Sequence, residues 1–342
     1  FKQKTAYEIV DCDWSSDVCS SDLSPAATGE GPGEGVSLVG LAGESAPFPP
    51  QYGEMGARPC PPRRGMAMAT MRAVMLTDFG VVEQVVLPEP EPLVGDEVLV
   101  RVTRAGICGS ELEGVAHKSP RRRPPLVMGH EFAGVIEALG PDVDHNRWHV
   151  GDRVVPNPLM ACGTCRICQR GRTNACPNRV LLGLHRHGGH AELMSCSVRY
   201  LHHTPAAISD DDAATAEPLA VAIHGVRLLG DAGVLPRSIA IFGAGTIGLL
   251  ALQASRLAGA TTTVVIDRDP HRLEVAKRLG ATAVVNASTD DGTTDALGRL
   301  SLELTDGEGF DGALDCVGVG ATRAGAVRMV APGGTEIGRA HV

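Results

Sequence analysis

The chain has 342 residues, a formal net charge of −9 and only 3% aromatic residues, a composition that argues against a basic, aromatic surface for nucleic acid. It contains no run of about 20 apolar residues and no basic segment followed by an apolar one, so neither a transmembrane helix nor a signal peptide is predicted. We therefore expect a cytoplasmic protein with no membrane partner and no nucleic-acid partner.

The two ends of the chain resemble translated sequencing-library adapter. A DNA string that encodes the last seven residues, from Glu336, reads in reverse complement as the codons for the seven residues from Asp17. We expect residues 1–23 and 336–342 to be adapter-like. Residues 1–70 as a whole are expected to be a non-native or disordered leader, because they are rich in Gly, Pro and Ala and show no helical or strand period.

From residue 71 onward, the sequence predicts half-buried strands. Apolar and polar residues alternate in "DEVLVRVTRAG", and the pattern returns in "GHEFAGVIEALG" and "GDRVV", with glycines at the turns. Such alternation is typical of strands that bury one face. Residues 71–215 are therefore predicted to form a mostly β domain. The run Arg121 to Arg123, followed by two prolines, is predicted to be a solvated loop.

A compact group of cysteines lies within this half. The segment "CGTCRICQRGRTNAC" has the spacing C-x2-C-x2-C-x7-C, which lets backbone turns direct four thiolates at one tetrahedral zinc. Four thiolates leave no position for a substrate, so the predicted site is structural. An iron–sulfur cluster is the alternative, and visible absorbance would separate the two because zinc is colourless. The predicted ligands are Cys162, Cys165, Cys168 and Cys176.

A second, more dispersed set of ligand types occurs in three motifs. Cys108 lies in "GICGSELEG", His130 and Glu131 lie in "MGHEFAG", and Glu217 lies in "AEPLAVAIHG". Together they offer one thiolate, one imidazole and carboxylates. Three protein ligands and one open position are what a catalytic zinc requires.

The second half carries a dinucleotide-binding pattern. A strand-length apolar run is followed by a glycine-rich turn, a helical segment and a second strand that ends in Asp267. In this context GxGxxG places the pyrophosphate at the helix N-terminus, and the acid accepts hydrogen bonds from the ribose hydroxyls. Asp267 favours NAD over NADP, and the neighbouring Arg268 weakens that preference. The predicted turn residues are Gly243, Gly245, Thr246, Ile247 and Gly248.

The strand and helix pattern continues toward the C-terminus. "PHRLEVAKRLGA" predicts a helix, "TAVVNA" and "GALDCVG" predict the third and fourth strands, and "ATRAGAVRMVAPGGT" predicts a helix and its glycine turn. No apolar run follows, so the fifth strand is predicted to be missing. Because an unfinished parallel sheet exposes an apolar edge, we expect residues 71–335 expressed alone to be unstable and nearly inactive.

These motifs, in this order, resemble the zinc-dependent medium-chain dehydrogenase family of the alcohol dehydrogenase superfamily, over residues 71–335. The resemblance implies a mixed α/β fold in which a GroES-like catalytic domain (71–215) precedes a Rossmann doubly wound domain (216–335), truncated at the C-terminus. It implies one catalytic and one structural Zn2+, NAD, a small-molecule alcohol or polyol substrate and a dimeric or tetrameric intact protein.

The resemblance also implies roles for individual residues. Cys108, His130 and an acid would hold the catalytic zinc, with Glu131 as a ligand or as a contact of one. Glu217 stands where some members have a cysteine ligand and would be a further ligand of the catalytic zinc. Its carboxylate makes the chain more similar to the polyol, threonine and butanediol dehydrogenases. Ser110 would relay the alcohol proton while the hydride passes to the nicotinamide.

The chain departs from the family pattern after Cys108. Many relatives have Asp and then His where this chain has Glu111 and Glu113, so the outlet of the proton relay is open between Glu113 and water. His190 replaces a frequent aromatic; it either lines the cleft or is a satisfied histidine.

Three other functions were weighed against this interpretation. A zinc-free quinone or enoyl reductase of the same fold would lack both ligand sets. A zinc-ribbon module for nucleic acid would leave the glycine-rich turn unexplained. An NAD-binding sensor without turnover would not need Cys108 and His130.

Overall fold

The computed structural model describes residues 69–90, 93–230, 236–289 and 292–338. The adapter-like residues 1–23, nearly all of the predicted leader and the last four residues of the chain lie outside this part. Within it, no helix combines the length and the apolar character that crossing a membrane would require.

The first half of the described chain is mostly β, as its alternating pattern predicts. Its elements are β1 (Thr70–Asp78), β2 (Val81–Pro88), β3 (Glu97–Gly106), α1 (Gly109–Ala116), β4 (Leu126–Val127), β5 (Glu131–Leu139), β6 (Arg153–Pro156), β7 (Leu159–Met160), α2 (Arg166–Gln169), β8 (Val180–Leu181), β9 (Leu193–Ser197), β10 (Leu201–His203) and α3 (Asp210–Ala213). Two short 3-10 helices, Thr173–Ala175 and Val198–Tyr200, join them.

These strands form antiparallel sheets around two apolar clusters, a large one and a smaller one that contains Leu76, Leu126 and Met128. Five strands pair in the order β10-β6-β5-β3-β9, three pair in the order β2-β1-β4, and β7 pairs with β8. On β3, Val98 and Val100 are fully buried while the intervening Leu99 is only partly buried, which is the period of a strand with one core face. Phe132 and Ile136 of β5 pack in the same core cluster.

The second half is a parallel sheet with helices on both faces. Its elements are α4 (Ala216–Gly230), β11 (Ser238–Phe242), α5 (Thr246–Leu257), β12 (Thr262–Asp267), α6 (Pro270–Arg278), β13 (Ala283–Asn286), α7 (Thr294–Leu304), β14 (Phe310–Asp315), α8 (Gly320–Met329) and β15 (Val330–Gly338). The strand order is β13-β12-β11-β14-β15, and every pair is parallel. From β11, the chain adds β12 and β13 on one side of the sheet and then β14 and β15 on the other. This change of side is typical of a doubly wound dinucleotide-binding sheet.

Alternate residues of β11 enter separate cores on the two faces of this sheet. Ile239 and Ile241 pack with Leu252 of α5 on one face, whereas Ala240 and Phe242 pack with helices α7 and α8 on the other. Because both faces are covered, the strands are continuously apolar, and the periodicity of 2 seen in the first half disappears. The predicted strands and helices of this half are present at the predicted places.

The prediction of a missing fifth strand is wrong. β15 pairs in parallel with β14, placing Glu336 opposite Ala313 and Ile337 opposite Leu314. The pattern was misleading because "APGGT" reads as a turn. Gly333 has a φ of +86°, and the register shifts near the start of β14, so the glycines form an irregular strand. The expected instability of residues 71–335 stays a prediction, because three of the paired residues of β15, from Glu336 to Gly338, lie beyond that range. The adapter origin of the last seven residues stays a prediction.

Candidate active site

Four thiols converge on one point in the loop that contains α2. The Sγ atoms of Cys165 and Cys168 lie 3.5 Å apart, as do those of Cys176 and Cys162, while Cys162–Cys168 and Cys165–Cys176 measure 3.9 and 4.0 Å. A tetrahedral zinc with bonds of about 2.3 Å to sulfur sets its thiolates about 3.8 Å apart. The residues present therefore fit a closed, four-thiolate zinc site.

The thiols of this loop differ in pKa: burial and the hydrogen bonds with Cys165 and Cys176 raise the pKa of Cys168 to about 12, whereas the pKa of Cys162 is lowered. Backbone amides of Cys165 and Thr164 donate hydrogen bonds to the Cys162 sulfur and lower its pKa to about 6. A lowered thiol pKa increases the fraction of thiolate, which is the form that binds metal.

The second predicted ligand set also comes together. Cys108 is the N-cap of α1, immediately after β3, and His130 and Glu131 stand at the start of β5. The register of the two strands places Gly106 opposite Glu131. One ligand atom from each of Cys108, His130 and Glu131 lies within 4.8 Å of the others. Three ligands of mixed type form an open set that suits a catalytic zinc.

Glu111 is a functional residue that the sequence interpretation missed. Its side chain is 1% exposed, and Oε1 accepts hydrogen bonds from His130 Nδ1 and from the Gly129 amide, both at 2.9 Å. Oε2 accepts the Cys108 amide at 3.1 Å. Because a carboxylate only accepts, His130 Nδ1 carries the hydrogen and Nε2 remains available to a metal.

The pKa values of this group reflect burial and mutual charge. Burial alone would raise the pKa of Glu111, but the hydrogen bond from His130 and the charges of His190 and His130 outweigh it and lower the pKa. Burial opposes protonation of His130, yet its hydrogen bonds with Cys108 and Glu111 raise its pKa to about 10. Burial raises the pKa of Glu131, with the charge of His130 opposing it.

Glu217 lies in the first turn of α4, close to the cluster but outside its ligand group. Burial raises its pKa to about 7; the charge of His130 opposes this rise, and the charges of Glu131 and Glu111 add to it. The site therefore holds a third carboxyl group, which interacts electrostatically with His130, Glu131 and Glu111.

Ser110 is held between a thiol and a guanidinium. Its Oγ donates to Cys108 Sγ at 3.2 Å and accepts from Arg122 Nη2 at 3.1 Å. Arg122 is 5% exposed, its Nη1 donates to the Gly183 carbonyl at 2.7 Å, and burial lowers its pKa. The prediction of a solvated arginine run holds for Arg121 and Arg123 and is wrong for Arg122. Three adjacent arginines gave no sequence signal that one of them is buried.

His190 is a satisfied histidine. Its Nε2 donates to the Gly106 carbonyl at 3.1 Å and lies 3.8 Å from Glu111 Oε2. Of the two acids after Ser110, Glu111 is occupied by three hydrogen bonds, whereas Glu113 is half-buried. The outlet for the proton, through Glu113 or through water, stays a prediction.

The glycine-rich turn has the geometry of a phosphate cradle. Gly243 ends β11 with a φ of +96°, and a Cβ added at Gly248 would lie 1.7 Å from the Gly243 carbonyl oxygen. Gly245 is the N-cap of α5, so Thr246 and Ile247 begin the helix whose free amides face an anion. No side chain larger than hydrogen fits at Gly248, which is the close approach of helix to strand that this turn needs.

Asp267 stands at the C-terminal end of β12, beside this turn. Its Oδ2 accepts the Ala244 amide at 2.5 Å and its Oδ1 accepts the Asp269 amide at 2.8 Å. The next residue, Arg268, donates from Nε to Ser288 Oγ at 3.4 Å. The predicted acid and its basic neighbour therefore both lie at the C-terminal end of β12, next to the glycine-rich turn.

Comparison with known proteins agrees with both halves of the fold. The family model described as Alcohol dehydrogenase GroES-like domain matches residues 95–206, and the one described as Zinc-binding dehydrogenase matches residues 246–337. Sorbitol dehydrogenase of Bacillus subtilis (strain 168) is 34% identical over 269 residues, which are 77% of this chain and 73% of that protein. L-threonine 3-dehydrogenase of Saccharopolyspora erythraea is 35% identical over 271 residues, 77% of this chain and 75% of that protein.

A solved structure gives the same result. The crystal structure of a zinc-binding dehydrogenase from Sinorhizobium meliloti 1021, bound to NADP, matches with a TM-score of 0.72 and 34% sequence identity, covering 79% of this chain and 76% of that one. A GroES-like domain with two metal-ligand sets, followed by a dinucleotide-binding sheet, is the architecture of a zinc-dependent dehydrogenase.

The chain belongs to the zinc-dependent medium-chain dehydrogenase family of the alcohol dehydrogenase superfamily. Within that family it stands in the branch of the polyol and threonine dehydrogenases. It is an oxidoreductase that uses zinc and a nicotinamide cofactor, and its substrate is a small-molecule alcohol. The resemblance seen in the sequence motifs is thus confirmed.

Proposed function

We propose that the chain oxidises a secondary alcohol or polyol and transfers the hydride to NAD, using one catalytic and one structural zinc. The observation that carries this proposal is the open ligand group of Cys108, His130 and Glu131, with Ser110 hydrogen-bonded to its thiol. A closed site could not admit a substrate oxygen, whereas this group leaves a coordination position free.

Each residue of the group has a distinct task. Cys108 Sγ, His130 Nε2 and a Glu131 oxygen would hold the metal, and Glu111 fixes the His130 ring through its Nδ1. When bound, zinc supplies Lewis-acid polarisation of the alcohol oxygen, and the nicotinamide ring supplies the hydride acceptor. Ser110 receives the hydroxyl proton, because its Oγ lies beside the thiol that marks the metal position.

Glu217 is proposed to stand at the open side of this group. Its raised pKa of about 7 comes from burial and from the neighbouring carboxylates. The Glu217 carboxyl group can hydrogen-bond a substrate hydroxyl, since a carboxylate accepts hydrogen bonds and a protonated carboxyl group can also donate one. This role agrees with a substrate that carries more than one polar group.

NAD is proposed as the preferred cofactor. Asp267 places a carboxylate at the ribose edge, which favours free 2′-hydroxyl and repels a 2′-phosphate. Because one solved relative is bound to NADP, NADP is the main alternative cofactor. Initial rates with each cofactor at equal concentration decide between them; a higher kcat/KM for NADP would overturn the preference.

The proposed activity is tested by measuring NAD reduction with a panel of polyols, secondary alcohols, L-threonine and sugar-phosphate alcohols. We expect turnover with at least one of them, inhibition by a chelator and recovery on adding zinc. Cys108→Ser should abolish turnover while NAD still binds. Activity that survives both chelation and Cys108→Ser would overturn the zinc mechanism. Light scattering on the same protein tests the expected dimer or tetramer.

A further inference from the structure

Ser110 has a limited number of hydrogen-bonding positions, and two of them are filled. A serine hydroxyl offers one hydrogen and two lone pairs. The hydrogen is directed to Cys108 Sγ at 3.2 Å, and one lone pair accepts Arg122 Nη2 at 3.1 Å. One lone pair is left, and it can accept the proton of an alcohol.

Arg122 can only donate in this arrangement. A guanidinium has no acceptor atom and stays protonated in proteins, so it cannot carry a proton away from Ser110. Its fixed fork bonds the Gly183 carbonyl with Nη1 and Ser110 with Nη2. The side chain therefore sets the rotation of the Ser110 hydroxyl and places a positive charge beside the oxygen that receives the proton.

The position of Arg122 depends on a glycine in α1. Gly114 has no side chain, and a Cβ added there would lie 2.6 Å from both Cδ and Nε of Arg122. The arginine can cross the helix and reach Ser110 because that space is empty. The Arg122 side chain is held in this conformation because it is only 5% exposed and because it donates a hydrogen bond to the Gly183 carbonyl.

We propose that Arg122 is a positioning residue of the dehydrogenase reaction, which holds the Ser110 hydroxyl with one lone pair directed to the alcohol and stabilises the negative charge that develops as the hydroxyl proton leaves. This inference rests on the proposed function. The alcohol loses a hydride to the cofactor, and its hydroxyl proton passes to the free lone pair of Ser110 Oγ. As this proton arrives, the hydrogen that Ser110 already carries turns from Cys108 Sγ to a water molecule and leaves to solvent, so the serine stays neutral. The carbonyl product, the reduced cofactor and one released proton account for all atoms and charges.

The kinetic test compares Arg122→Ala with two matched controls, Arg121→Ala and Arg123→Ala, which remove the same charge from exposed neighbours. We expect Arg122→Ala to lower kcat by about 10- to 100-fold, as the loss of a hydrogen bond to a charged group would, with little change in KM for the cofactor. The primary deuterium isotope effect on kcat should rise because the chemical step becomes slower. Arg122→Lys should recover part of the loss.

A structural readout accompanies the kinetic one. Zinc content should be unchanged in every variant. Gly114→Ala should lower kcat and the unfolding temperature when Arg122 is present, since the two side chains collide. In the Arg122→Ala background the same change should raise the unfolding temperature, because alanine is a better helix former than glycine.

The outcomes separate the two proposals. If the wild-type chain reduces neither NAD nor NADP with any alcohol, the proposed function fails. The packing of Arg122 is still tested in that case, because Gly114→Ala should change the unfolding temperature in opposite directions with and without Arg122. If the wild type is active and Arg122→Ala keeps its kcat and isotope effect, or loses no more than Arg121→Ala, the positioning role is overturned. If Arg122→Ala does not fold, Gly114→Ala and Arg122→Lys supply the same comparison.

Discussion

Glu111 Oε1 accepts the Nδ1 hydrogen of His130 at 2.9 Å, in a position where the glutamate side chain is only 1% exposed. The bond fixes both the tautomer and the orientation of the imidazole. Because the same carboxylate also accepts the amides of Cys108 and Gly129, it joins the two chain segments that carry the candidate zinc ligands. Glu111 thus orients both segments toward the same candidate metal position.

Replacing this carboxylate should weaken metal binding more than it weakens the fold. We predict that Glu111→Gln lowers zinc affinity at the catalytic site by about 10- to 100-fold, since the neutral amide no longer fixes the His130 hydrogen as strongly. Competition with a chelating dye measures the affinity. Glu113→Gln, on the same helix, is the control and should keep it; an equal loss in both variants would contradict the assignment.

The four-cysteine loop should depend on its own zinc. We predict that Cys176→Ser reduces the zinc content from two ions per chain to one and lowers the unfolding temperature, because this loop is held by the thiolates. Cys196→Ala is the comparison, since that thiol is fully buried in the core away from both clusters; it should retain both ions. Visible absorbance from bound iron, in place of zinc, would contradict the structural-zinc assignment.

The cofactor preference should follow the carboxylate of Asp267. We predict that Asp267→Ser lowers kcat/KM for NAD by about 10- to 100-fold, as loss of charged hydrogen bonds would, and lowers it far less for NADP. Initial rates with both cofactors give the ratio. Asp269→Asn removes a neighbouring carboxylate that caps α6, so it should affect both cofactors alike. A ratio unchanged by Asp267→Ser would show that another residue selects the cofactor.

Without zinc, Glu217 should make stability depend on pH. Burial raises its pKa from the ordinary 4.5 to about 7, so folding favours the protonated form. Its contribution to the free energy of unfolding is then fully present below pH 4.5 and is lost as pH rises through about 7. The pKa of His130 is raised from 6.5 to about 10, so its contribution to the free energy of unfolding is lost mostly above pH 7.

Urea unfolding of the zinc-free protein at about pH 5 and about pH 8 measures the effect. We predict that the wild-type chain becomes less stable relative to Glu217→Gln as pH rises between these values, because glutamine does not ionise. Parallel changes in the two proteins would place the titrating group elsewhere.

Much of the fold could be predicted because its patterns are local. The alternation in β3 and the uninterrupted apolar run of β11 each reflect which faces of a strand are buried. The cysteine loop was predictable for the same reason, since four ligands within fifteen residues need only short turns to meet. The strand, turn and helix around Gly243 also follow one another directly along the chain.

What the sequence did not reveal depends on contacts between distant segments. Glu111 acquires its role because β3 and β5 pair in a register that brings His130 to it. Arg122 was grouped with two exposed arginines, and only the space at Gly114 distinguishes it. β15 was not predicted because "APGGT" has little apolar content. Its pairing with β14, which the sequence does not show, is what makes it a strand.

Gly114 and Arg122 occupy a single volume beside Ser110, although they belong to different elements and lie eight positions apart. An apolar side chain at 114 with a small residue at 122 would fill that volume without a charge. The positive charge beside Ser110 therefore depends on both residues, since Arg122 supplies it and Gly114 leaves room for it. Substitutions that alter the surroundings of Ser110 should vary both positions together, because a single substitution leaves either a collision or a void.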